Sequence, residues 1–179
     1  MTLENLLWDN REPIVKRWFE DVLATYPGDS FAALARQEDP FANPVGHRLR
    51  VGTRGVFEAL LRGQQGEEIQ RHLQEIVGIR AVQQFTASQA VGFVFRLKEA
   101  VRAVLADAID DARLAAELAE FERQVDRVAL TAFDIFVECR ERVSQLRVNE
   151  VKRQVSWIVD RLNRRGHGAE VTQVGPGEA

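Results

Sequence analysis

From Ala112 to Arg164 the sequence contains neither proline nor glycine, and its apolar residues recur at helical spacing. A straight helix of that length reaches ~80 Å, whereas a compact domain of this size is about 40 Å across. The segment must therefore project, bend, or pack against a second copy. Its apolar pattern also shifts. Phe121, Val125, Val128, Ala132, Phe136, Cys139, Val143 and Leu146 share one face. Val148, Val151, Val155, Ile158 and Leu162 share a roughly opposite face at about 100° per residue. The change of phase at Leu146 to Asn149 predicts that the two halves bury against different neighbours.

The rest of the chain reads as helices joined by short loops, with proline and glycine mostly at the edges of periodic segments. Thr2 is placed to cap a first helix bearing Leu3, Leu6 and Leu7, and Pro13 restarts or kinks it. Ile14, Trp18 and Val22 continue the stripe until Tyr26-Pro27-Gly28. Residues 27 to 42 read as irregular, with a short helical turn around Phe31 to Ala35. Asn43-Pro44 is a cap followed by proline at the first helical position, and Gly63 ends that helix. Gly46, Gly52 and Gly55 inside it each cost about 1 kcal/mol relative to alanine, so either a tightly crossing helix or a ligand should lie on them. A further helix spans Glu67 to Gln84. Thr86 with Gln89 forms a capping-box pattern before a helix carrying Ala90, Val94, Leu97, Val101 and Leu105. The acidic stretch Asp107 to Asp111 reads as a turn.

Composition excludes several classes. Hydrophobic residues make up 45% and charged residues 28% of 179 residues, enough for one domain with a proper core. A net charge of -3 argues against a nucleic-acid partner. The apolar run Val128 to Val137 is interrupted by Thr131 and Asp134 and is far short of the ~20 residues that span a bilayer, so no membrane insertion is expected. A single cysteine, Cys139, and no signal-peptide pattern fit a cytoplasmic setting.

Catalytic and metal chemistry find little footing. His47, His72 and His167 are scattered, and with one cysteine they give no convincing zinc set. Glu138-x-x-Glu141 lacks the histidine of a di-iron pair. His47 could be imagined as a haem ligand, but a single histidine is a weak signal. Cys139 sits mid-stripe as a small hydrophobe. No phosphate loop or nucleophile elbow is present, so no enzyme, metal or cofactor is expected. Arg80 is the one anomaly, because it falls between Ile69, Leu73 and Ile76 on an apolar face. A buried arginine calls for a carboxylate. The Val128 to Cys139 segment is apolar almost all round and reads as the central core helix. Asp134 or Glu138 on its polar strip is the candidate partner, with a snorkelling Arg80 as the alternative.

Several ordered motifs resemble the RsbRD N-terminal domain family, the sensor-like domains of RsbT co-antagonist proteins in bacterial stress signalling. They are Asn43-Pro44-Val45-Gly46-His47, Ile79-Arg80-Ala81-Val82-Gln83, Phe85-Thr86-Ala87-Ser88-Gln89-Ala90, Phe133 to Glu141, and Arg147 to Arg153. The similarity runs over residues 3 to 163. It implies an all-helical module feeding a long helix, with related sensor domains globin-like, dimeric and free of haem. With no STAS domain expected after Ala179, the resemblance is expected to carry over the sensory module and not the co-antagonist role.

The expected fold is therefore all-α, a globin-like or orthogonal helical bundle with a long C-terminal helix. Residues 1–147 form the sensor-like domain, 148–164 an extension of the long helix, and 165–179 a disordered tail. The expected function is a stand-alone regulatory, sensory protein-interaction module of a bacterial signalling or stress-response system. Its partners are a second copy, paired through Val148, Val151, Val155, Ile158 and Leu162, and an unidentified signalling protein. The alternative is a small-molecule or haem sensor built near His47 or the helix glycines.

Overall fold

In the computed structural model the chain is all-α, with a long C-terminal helix and no strand among the described residues. The structure describes residues 2–26, 34–35, 39–64, 66–83, 85–109 and 111–169, the side chains of 162–169 excepted. The expected turn around Phe31 to Ala35 falls mostly outside these residues, as do Leu162 and His167 as side chains. The helices are α1 (Leu3–Asp9), α2 (Arg11–Leu23), α3 (Pro44–Leu61), α4 (Glu67–Val82), α5 (Ala87–Val91), α6 (Phe93–Val104) and α7 (Ala112–Ala169). The chain divides into two compact units, Met1–Arg140 and Glu141–Ala179. α7 runs on to Ala169, through Gly166 and Gly168, where a tail was expected from 165.

Local chemistry explains the helix boundaries. The Thr2 hydroxyl accepts from the Asn5 backbone at 3.4 Å, satisfying a free N–H of α1. α1 stops at Asn10, and Pro13 falls within the first turn of α2, where its missing N–H costs nothing. Asn43 caps α3 by accepting from Gly46 N at 2.9 Å. Thr86 and Gln89 close a reciprocal capping box on α5. Where the sequence suggests one helix from Thr86 to Leu105, the chain breaks at Gly92 into α5 and α6. The Gly92 N–H bonds Ser88 O at 2.8 Å, and a Cβ there would lie 2.7 Å from that oxygen.

The core of the first unit is built from one stripe per helix. Ile14, Trp18, Val22 and Leu23 of α2 are fully buried, with Leu49 and Phe57 of α3, Leu73 and Ile76 of α4, and Leu97 of α6. α2 packs on α3 and α6, and α3 crosses α4. The crossing explains two of the glycines. A Cβ on Gly52 would come within 2.6 Å of Ile76 Cγ1 and 3.1 Å of the His72 carbonyl oxygen, and one on Gly55 would fall on the His72 ring. α4 thus lies against the bare backbone of α3. Phe121 of α7 meets Phe57 edge-on at 6.4 Å.

α7 within this unit is amphipathic, which corrects the reading of a helix buried all round. Phe121, Val125, Val128, Ala132 and Phe136 are buried, but Leu130, Phe133 and Val137 are exposed. The buried stripe fades beyond Phe136. Cys139 and Val143 are half-buried, and Leu146, expected on the core face, is exposed.

Candidate interaction surface

Two features of this chain are chemically unusual: a fully buried arginine in the first unit and a row of exposed aliphatic side chains in the second. Arg80 stands in the last turn of α4, on the same face as Leu73, Ile76 and Val77, so the α4 core stripe carries it inside. Its Nη1 donates to Gln89 O at 3.0 Å, and its Nη2 to Val22 O at 3.2 Å and Thr25 Oγ1 at 2.8 Å. The rings of Tyr26, Phe85 and Phe93 surround it, their centroids 5.2, 5.1 and 5.0 Å from the guanidinium carbon.

The expected carboxylate partners are elsewhere. Asp134 and Glu138 are exposed on α7 and do not meet Arg80. Carbonyls and π faces take the place of a carboxylate. Val22 lies in the last turn of α2 and Gln89 near the end of α5, where carbonyl oxygens carry partial negative charge. Ring faces add further electron density toward the cation. Satisfaction is incomplete, because Arg80 Nε, Tyr26 Oη and Gln83 Oε1 are buried without a hydrogen-bond partner among the described residues. Burial pushes the Arg80 pKa below its usual value and the Tyr26 pKa above.

Other candidate residues read as structure. His72 packs on Gly55, and Glu68 Oε1 lies 3.6 Å from its Nε2. His47 lies in the first turn of α3, beside a groove lined also by Arg50, Arg54 and Arg71. Cations there are matched by acids: Arg54 is bidentate on Glu12 at 2.7 and 2.6 Å, and Arg71 bonds Glu68. No set of three metal-capable side chains converges among the described residues. No described helix is long and apolar enough to cross a membrane.

In the second unit Val148, Val151, Val155 and Ile158 are 43%, 58%, 53% and 49% exposed. They advance by three, four and three residues, the spacing of a helix-pairing seam. Polar and charged side chains lie around the row. Arg153 bonds Glu150, Gln154 donates to Glu150 at 3.0 Å, and Arg161 lies over the exposed Trp157 ring at 5.2 Å. Trp157 and Val159, also exposed, were not singled out by the seam reading.

The family model of the RsbT co-antagonist protein rsbRD N-terminal domain matches residues 12–151. The chain belongs to this family. No curated protein and no solved structure matches it. In this RsbRD N-terminal domain the match starts at the second residue of α2, includes α3 to α6 and Arg80 with its surroundings, and ends at Val151, partway along the exposed row. Membership in the RsbRD N-terminal domain family implies a regulatory, sensor-type role in stress signalling.

Proposed function

We propose that this RsbRD N-terminal domain is a regulatory protein-interaction module that pairs with a second copy through its C-terminal helix, in a cytoplasmic stress-signalling system. The observation that carries this reading is the exposed row Val148, Val151, Val155 and Ile158. Four aliphatic side chains at heptad spacing, each about half in water, are an interface awaiting a partner. A seam of two heptads is marginal alone, so contacts elsewhere in the chain contribute. The domain is read as a transmitter: its sharpest polar feature, Arg80, is enclosed by carbonyls, the Thr25 hydroxyl and aromatic rings and ties helices together. A globin-like arrangement is the expected fold type for such a sensor. Light scattering on the full chain and on a version ending at Arg147 tests the reading. A dimeric full chain and a truncated chain of lower mass agree with it. A monomeric full chain, or equal dimerisation of both, contradicts it.

A further inference from the structure

The charges beside the seam point to a second occupant. With Val148 and Val155 at a and Val151 and Ile158 at d, the flanking e and g positions of the second unit are Gln145, Arg147, Lys152, Gln154, Val159 and Arg161. Three are cations and none is an acid. Glu150 and Asp160 fall at c and f, away from the seam. These flanking positions set partner choice in paired helices. In a parallel pair of this chain Arg147 faces Lys152 of the second copy. In an antiparallel pair Arg147 faces Arg161 and Lys152 faces itself. Either orientation of a self-pair therefore brings like charges together across the seam, and like charges at close range act against the wrong partner.

We propose that the 145–161 face is built for an amphipathic helix of another protein with acidic side chains beside its own apolar seam, and that the second copy is the weaker, exchangeable occupant. This rests on the reading of the exposed row as a helix-pairing surface. The a/d strip is widened by Val159 only at its C-terminal end and stays narrower than the broad apolar face that a lipid surface matches.

The test uses the full chain and two labelled synthetic peptides. Both carry this chain's seam residues 148–162, one with Glu and one with Lys at every flanking position. Like-charged flanks keep each peptide from pairing with itself. At about 50 mM salt the Glu peptide should bind ~10-fold or more tighter than the Lys peptide by fluorescence anisotropy, and lose affinity at about 500 mM salt. The triple variant Arg147→Glu, Lys152→Glu, Arg161→Glu should reverse the preference. Equal binding of both peptides, no binding of either, or stronger association with vesicles containing an anionic phospholipid would overturn the proposal. A chain that is monomeric yet selects the Glu peptide supports it while removing the homodimer. A stable dimer that the Glu peptide leaves intact overturns it and leaves the homodimer standing.

Discussion

The Arg80 guanidinium donates to the carbonyl oxygen of Val22 at 3.2 Å, bridging 58 residues of sequence and tying the end of α4 to the end of α2. Through Gln89 O the same group holds the last turn of α5. One side chain thus joins three helix ends, and its charge is spread over carbonyls and rings. Arg80→Ala should lower stability by about 3 kcal/mol or more, through lost packing and orphaned acceptors. Arg80→Met fills the space without a charge to desolvate and should cost much less. Chemical denaturation of the two variants compares them. Equal loss in both would show that charge and its hydrogen bonds dominate, and no loss in either would show that Arg80 does not tie the helices.

The crossing of α3 and α4 gives a contrast between two glycines. Gly52 has Ile76 and the His72 carbonyl where a Cβ would go, whereas Gly78 has nothing within 4 Å. Both lie inside helices, where alanine is favoured by about 1 kcal/mol. Gly78→Ala should therefore raise the melting temperature. Gly52→Ala should lower it, because overpacking costs about 1–3 kcal/mol. A rise for both substitutions would mean that the helices do not touch at Gly52.

Glu122 on α7 takes two hydrogen bonds from Arg102 on α6, at 2.5 and 2.7 Å, which hold its carboxyl below the usual range. A depressed folded pKa stabilises above the unfolded value and is lost as pH falls through the folded one. Arg102 is exposed, so the contribution is at most about 1 kcal/mol. Glu122→Gln should be less stable than the parent near neutral pH, and the gap should close in acid. A gap constant from neutral to acid pH would rule out the ion pair as its source.

The fold was legible where it depends on local chemistry. Thr2, Asn43 and Thr86 cap helices because their side-chain oxygens meet free N–H groups a few residues on. The glycines of α3 announced a close neighbour, and α4 is there. Arg80 stood out because helical phase places it on an apolar face. Its acceptors were not legible, since any residue supplies a carbonyl, and a carboxylate search leads to Asp134 and Glu138 on the solvent face of α7. The break at Gly92 was hidden because the residues on both sides keep apolar helical spacing. Leu130, Phe133 and Val137 looked buried because hydrophobicity alone does not say which side of a helix meets the core.

The row Val148, Val151, Val155 and Ile158 is expected to pair with another helix. The most direct test is the solution mass of the full chain beside Val151→Asp, Ile158→Asp, with circular dichroism to follow helix content. A dimeric parent and a monomeric double variant that keeps most of its helix is the expected result, because two aspartates at d positions put charge inside the seam. A double variant that stays dimeric would show that the chain does not pair through this row.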